Sequence, residues 1–65
     1  MQVFINQIPR EWPEGTTLAQ ALQAMDFKPP FAVANNLQFV PKTQYTHTAL
    51  SPGDQIEVIS PITGG

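Results

Sequence analysis

Sixty-five residues, with three basic and five acidic side chains, one histidine and no cysteine, leave room for one domain around a single modest core. The missing cysteine excludes disulfides, thiolate metal sites and a nucleophilic thiol within the chain, and the absence of any basic run leaves no cationic stripe of the kind that nucleic acid requires. No stretch joins a positive start to a long apolar run, so neither a secretory signal nor a membrane span is expected, and the expected location is cytoplasmic.

From Met1 to Ile5 the residues alternate, sending Met1, Val3 and Ile5 to one face and Gln2 and Phe4 to the other, as a strand would. Asn6 and Gln7 mark a turn. Ile8 to Trp12 returns as a second strand, in which Pro9 is tolerated only where its missing N–H meets an unpaired edge or a bulge. Pro13, Glu14 and Gly15 interrupt the pattern, and Thr17 followed by Gln20 fits a capping box. A helix is therefore predicted from near Thr17. Its packed stripe is Leu18, Leu22 and Met25 with Ala21 beside them, while Gln20 and Gln23 face water.

Asp26 and the Pro29-Pro30 pair end that helix. Phe31 to Ala34 reads as a third strand, Asn35-Asn36 as a turn because asparagine tolerates positive φ, and Leu37 to Val40 as a fourth strand. Between Pro41 and Leu50 no period is sustained, so a loop with one helical turn is expected. Ser51-Pro52-Gly53-Asp54 is a turn signal, and Gln55 to Ile59 alternates with Ile56 and Val58 towards the core. The order gives an α+β fold, one mixed sheet of four to five strands covered by one helix. A ubiquitin-like β-grasp domain over residues 1–60, with an exposed, flexible tail over 61–65, is the expectation.

Side-chain chemistry is scarce. His47 stands alone without metal-ligand company and reads as a solvated loop residue, so no metal site is assigned. Asp54, beside Gly53, reads as a residue that hydrogen-bonds its own turn. Gly15, Gly53 and the Gly64-Gly65 pair are too far apart for a phosphate-binding loop, and an enzyme in its own right is not expected. What remains is the ending Pro61-Ile62-Thr63-Gly64-Gly65. A carboxylate without a neighbouring Cβ can enter a narrow channel in another protein, where conversion to an acyl-adenylate would give it a good leaving group.

Six segments carry a resemblance along essentially the whole chain. They are Met1-Gln2-Val3-Phe4-Ile5-Asn6, Gly15-Thr16-Thr17-Leu18, Val33-Ala34-Asn35-Asn36, Val40-Pro41-Lys42, Leu50-Ser51-Pro52-Gly53-Asp54-Gln55-Ile56-Glu57 and the closing Gly64-Gly65. Together they resemble the ThiS family, the sulfur carriers of thiamin thiazole synthesis. Thr63 stands where such carriers often have alanine or glycine, and Lys42 where many have arginine. The resemblance implies that the Gly65 carboxylate is adenylated and then becomes a thiocarboxylate, with Gly64 and Thr63 forming the tail that presents it. It further implies two partners, a ThiF-like adenylating enzyme and a ThiG-like thiazole synthase. ATP and metal would come through the adenylating enzyme, with no cofactor bound by this chain. Phe4, on the sheet face away from the helix, and Ile62 are the candidate interface residues. A molybdopterin-type sulfur carrier and a ubiquitin-like protein modifier are the alternatives that share a diglycine end, although the molybdopterin synthase small subunit is usually longer.

Overall fold

The computed structural model describes residues 1–60, and the tail expected over 61–65 lies outside the described residues. Along the chain run β1 (Gln2–Ile5), β2 (Ile8–Glu11), α1 (Leu18–Ala24), β3 (Ala32–Asn35), β4 (Gln38–Val40), a 3₁₀ helix η1 (Lys42–His47) and β5 (Gln55–Ile59). The five strands form one mixed sheet in the order β2-β1-β5-β3-β4. β5 lies in the middle, parallel to β1 and antiparallel to β3. The expected β-grasp architecture is therefore present, with its last strand as its central one.

The first hairpin shows how Pro9 is accommodated. Met1 and Trp12 exchange hydrogen bonds, the Met1 ammonium donating to the Trp12 carbonyl at 2.7 Å and the Trp12 N–H donating back at 2.8 Å. Counting inward through the antiparallel register, Val3↔Arg10 and Ile5↔Ile8 are hydrogen-bonded pairs, whereas Phe4↔Pro9 is not. The nitrogen of Pro9 thus points away from β1 on an edge strand, where no ladder bond is lost.

At the helix start, the Gln20 N–H donates to the Thr17 hydroxyl at 3.2 Å and the Thr17 N–H donates to the Gln20 side-chain oxygen at 2.9 Å, which completes the predicted capping box. Leu18 N–H reaches the Thr48 carbonyl at 2.7 Å and Leu50 N–H the Thr16 carbonyl at 2.9 Å, tying the same end to the segment after η1. Leu18, Ala21 and Leu22 are buried, with Met25 partly so. They meet Val3, Ile5, Val33, Ile56 and Val58 from the sheet and Leu50 from the loop, which together make the core. Asp26, at φ 59°, turns the chain out of the helix.

Several strand boundaries differ from the expectation by one residue: β2 ends at Glu11 and not Trp12, β3 runs Ala32–Asn35 and not Phe31 to Ala34, and β4 begins at Gln38 and not Leu37. The turn between β3 and β4 sits on Asn36 and Leu37, at φ 52° and 70°, one residue later than Asn35-Asn36. Val33 and Val40 lie opposite one another on the core side, and that register leaves only Asn36 and Leu37 to make the connection. Asn35 stays in the ladder against Ile56, and its side-chain N–H donates to Asp54 at 3.2 Å.

Candidate functional site

Cross-strand neighbours share a face, so the registers divide the sheet without ambiguity. Val3, Ile5, Val33, Val40, Ile56 and Val58 face α1. The opposite face carries the row Pro9–Phe4–Gln55 and the row Phe39–Ala34–Glu57, with Ile59 opposite Ala32. No helix or strand among the described residues covers that second face.

Phe4 is where the alternation of β1 places it, on this open face, and it is half-buried between Pro9 and Gln55. Two larger exposures accompany it. Phe39 is 69% exposed and Ile59 is 58% exposed, with Ala32 and Ala34 between them on β3. The register thus gathers one aromatic, one branched and two small apolar side chains into an apolar patch on this face. The sequence pattern contained a signal for both. In β5 the outward positions run Gln55, Glu57, Ile59, and in β4 Phe39 lies between Gln38 and the inward Val40, so each is an apolar residue on a face open to water.

Ile59 is also the last residue of β5, so this patch reaches the end of the central strand. The sequence-based candidates Ile62, Thr63, Gly64 and Gly65 lie outside the described residues. Of the site residues expected from sequence, only Phe4 can therefore be placed.

Asp54 fixes the end of β5 from which the chain runs to Ile59. Its carboxylate accepts from the Ser51 N–H at 2.8 Å, which closes the predicted turn, and also from the side-chain N–H groups of Asn35 at 3.2 Å and Asn36 at 3.1 Å. The Asn36 side-chain oxygen in turn accepts from the Gln55 N–H at 3.0 Å. On the other side of β5, the Asn6 side-chain oxygen accepts from the Val58 N–H at 2.9 Å. Side chains from two hairpin turns thus position the central strand. His47 lies exposed in the last turn of η1. Among the described residues no group of three or more His, Cys, Asp or Glu could hold a metal ion, and no helix is long and apolar enough to cross a membrane.

A small β-grasp domain with one mixed sheet and one helix belongs to the ubiquitin-like class of folds. The comparisons narrow that class. The model of the ThiS family matches residues 3–65, and the chain belongs to that family, whose members are small sulfur carrier proteins of thiamin biosynthesis and not catalysts in themselves. The fold is similar to the crystal structure of a thiamine biosynthesis protein (ThiS) from Geobacter metallireducens, with a TM-score of 0.84 and 20% identity over 100% of both chains. No curated protein matches the sequence.

Proposed function

We propose that this chain carries sulfur to thiazole formation, with the Gly65 carboxylate as its working group. The observation that carries this reading is the family match, which extends through Gly64-Gly65. In the proposed cycle a carboxylate oxygen of Gly65 attacks the α-phosphorus of ATP on a ThiF-like enzyme, and pyrophosphate leaves. Hydrosulfide then attacks the acyl carbon, the bond to AMP breaks and AMP leaves, and loss of the S–H proton makes the end a thiocarboxylate. A ThiG-like thiazole synthase takes the sulfur. The chain's own contribution is placement: the sheet face docks and the tail carries the carboxyl group into the partner, which supplies ATP and metal. On this reading Phe39 and Ile59 join Phe4 as docking side chains, and Ile62, Thr63 and Gly64 thread the partner's channel.

The test is the position of the end. Misplacing reacting atoms by about 1 Å can cost a hundredfold in rate. Appending a single alanine after Gly65 should abolish AMP formation with ATP and the activating enzyme, while the melting curve stays where it was. An extended chain activated as fast as the original would remove the Gly65 carboxylate from the reaction.

A further inference from the structure

Where β5 begins, between the turns of the two hairpins, the open sheet face is hollowed by a cleft of about 380 Å³. Gln7 from the first turn, Asn36 and Leu37 from the second, and Gln55 and Glu57 of β5 line it. Ligand clefts run from about 300 to 1,000 Å³, so this one suits a single inserted side chain better than a large molecule.

Its charge is one-sided. Glu57 is exposed on the central strand, opposite Ala34, and makes no ion pair among the described residues. The Gln2↔Glu11 pairing puts a second carboxylate on the same face. None of the chain's three cations is placed to answer Glu57. Arg10, opposite Val3, shares the helix side of the sheet, Lys42 lines a groove there with Leu22 of α1, and Lys28 pairs with Asp26 at 3.3 Å. The open face is therefore apolar and anionic, and its complement is apolar and cationic. A protein that covers Phe39 and Ala34 also covers Glu57, which ends the same row across the sheet. Taking that carboxylate out of water costs free energy unless a cation meets it.

The cleft selects which cation. Beside the Glu57 carboxylate it holds the side-chain amides of Gln7 and Gln55, whose oxygens are further acceptors. A planar guanidinium with five donors can use several of these at once, whereas an ammonium acts as a strongly hydrated point charge. Leu37 supplies an apolar wall for the stem of the incoming side chain. We propose that this cleft receives an arginine side chain of the protein that docks on the open face, with Glu57 pairing to its guanidinium. Geometry and charge carry the cleft itself; only the identity of the docking protein, the activating enzyme, rests on the carrier reading.

Two titrations test it. In nuclear magnetic resonance on the free chain, N-acetylarginine amide should move the signals of Gln7, Asn36, Gln55 and Glu57, and N-acetyllysine amide should move them less. Glu57→Gln should weaken the arginine response by about fivefold, the scale of an exposed ion pair. Against the activating enzyme, where the same pair is covered, calorimetry should show Glu57→Gln binding at least roughly thirtyfold more weakly than the original chain, with an unchanged melting curve. A lysine response equal to the arginine one, or signals that move elsewhere, would overturn the arginine assignment. Equal enzyme affinity would leave Glu57 a solvated charge and overturn the pairing. If the original chain does not bind the enzyme, the carrier reading fails and the first titration alone decides the cleft. Neither titration reads AMP formation, so both are independent of the alanine-extension test above.

Discussion

Leu37 is the residue least at home in its conformation. It stands at φ 70° with 90% of its surface exposed, so it bears the steric cost of left-handed backbone without burying its side chain in return. That cost is about 1–2 kcal/mol for a residue with a Cβ, and glycine gives back about 0.5–1 kcal/mol as extra freedom in the unfolded chain. Leu37→Gly should accordingly stabilise the domain by about 0.5 kcal/mol, a rise in Tm of roughly 2–4 °C at this chain length. Calorimetry decides it, and a lowered Tm would show that the leucine side chain contributes to the fold. The same position explains why the sequence places the turn one residue too early. Two consecutive asparagines look like the natural site of positive φ, and nothing local reveals that Asn35 is needed in the ladder for its bond to Asp54, 19 residues away.

At the scale of elements, the readable features were those whose cause lies within a few residues. The Thr17–Gln20 capping box, the inward alternation of Val3 with Ile5 and Ile56 with Val58, and the demand that Pro9 sit on an edge all express local geometry. What joins elements was less legible. Asp54 was expected to close its own turn, and it does, but it also holds both asparagines at the end of β3. Removing its carboxylate leaves three donors without their acceptor. Asp54→Ala should therefore cost about 2–3 kcal/mol, a large share of the roughly 3–10 kcal/mol expected for a domain of this size. Urea unfolding should show a lower midpoint with an unchanged slope. A loss below about 0.5 kcal/mol would mean that water replaces the carboxylate at no cost.

For the molecule as a whole, the fold was legible from the order of its elements, while the open face was legible only in outline. Phe4 stood out because it sits between two core residues of β1. Phe39 and Ile59 did not, because an exposed apolar residue in a short strand is common and becomes informative only when the register sets it beside another. The two sites also predict different behaviour. Phe39→Ala should weaken binding to the activating enzyme or to thiazole synthase by roughly thirtyfold, the usual scale for an interface aromatic, and leave stability within about 0.5 kcal/mol. Phe4→Ala, at a half-buried ring between Pro9 and Gln55, should lower stability as well. Calorimetric titration of both proposed partners, read beside melting curves, separates the two, and unchanged affinity of Phe39→Ala for both would take the apolar patch out of the interface.

The central position of β5 has a mechanical consequence. Any load applied beyond Ile59, as the proposed docking would apply, pulls along β5, which is flanked by β1 on one side and β3 on the other. Ladder bonds run across the strands, so such a load strains them together in shear, whereas a pull that lifted an edge strand would break them one after another. The parallel side is reinforced where the Asn6 N–H donates to the Ile56 carbonyl at 2.8 Å and the Asn6 side chain accepts from Val58. The domain can therefore be gripped by its end and tugged without the sheet unzipping.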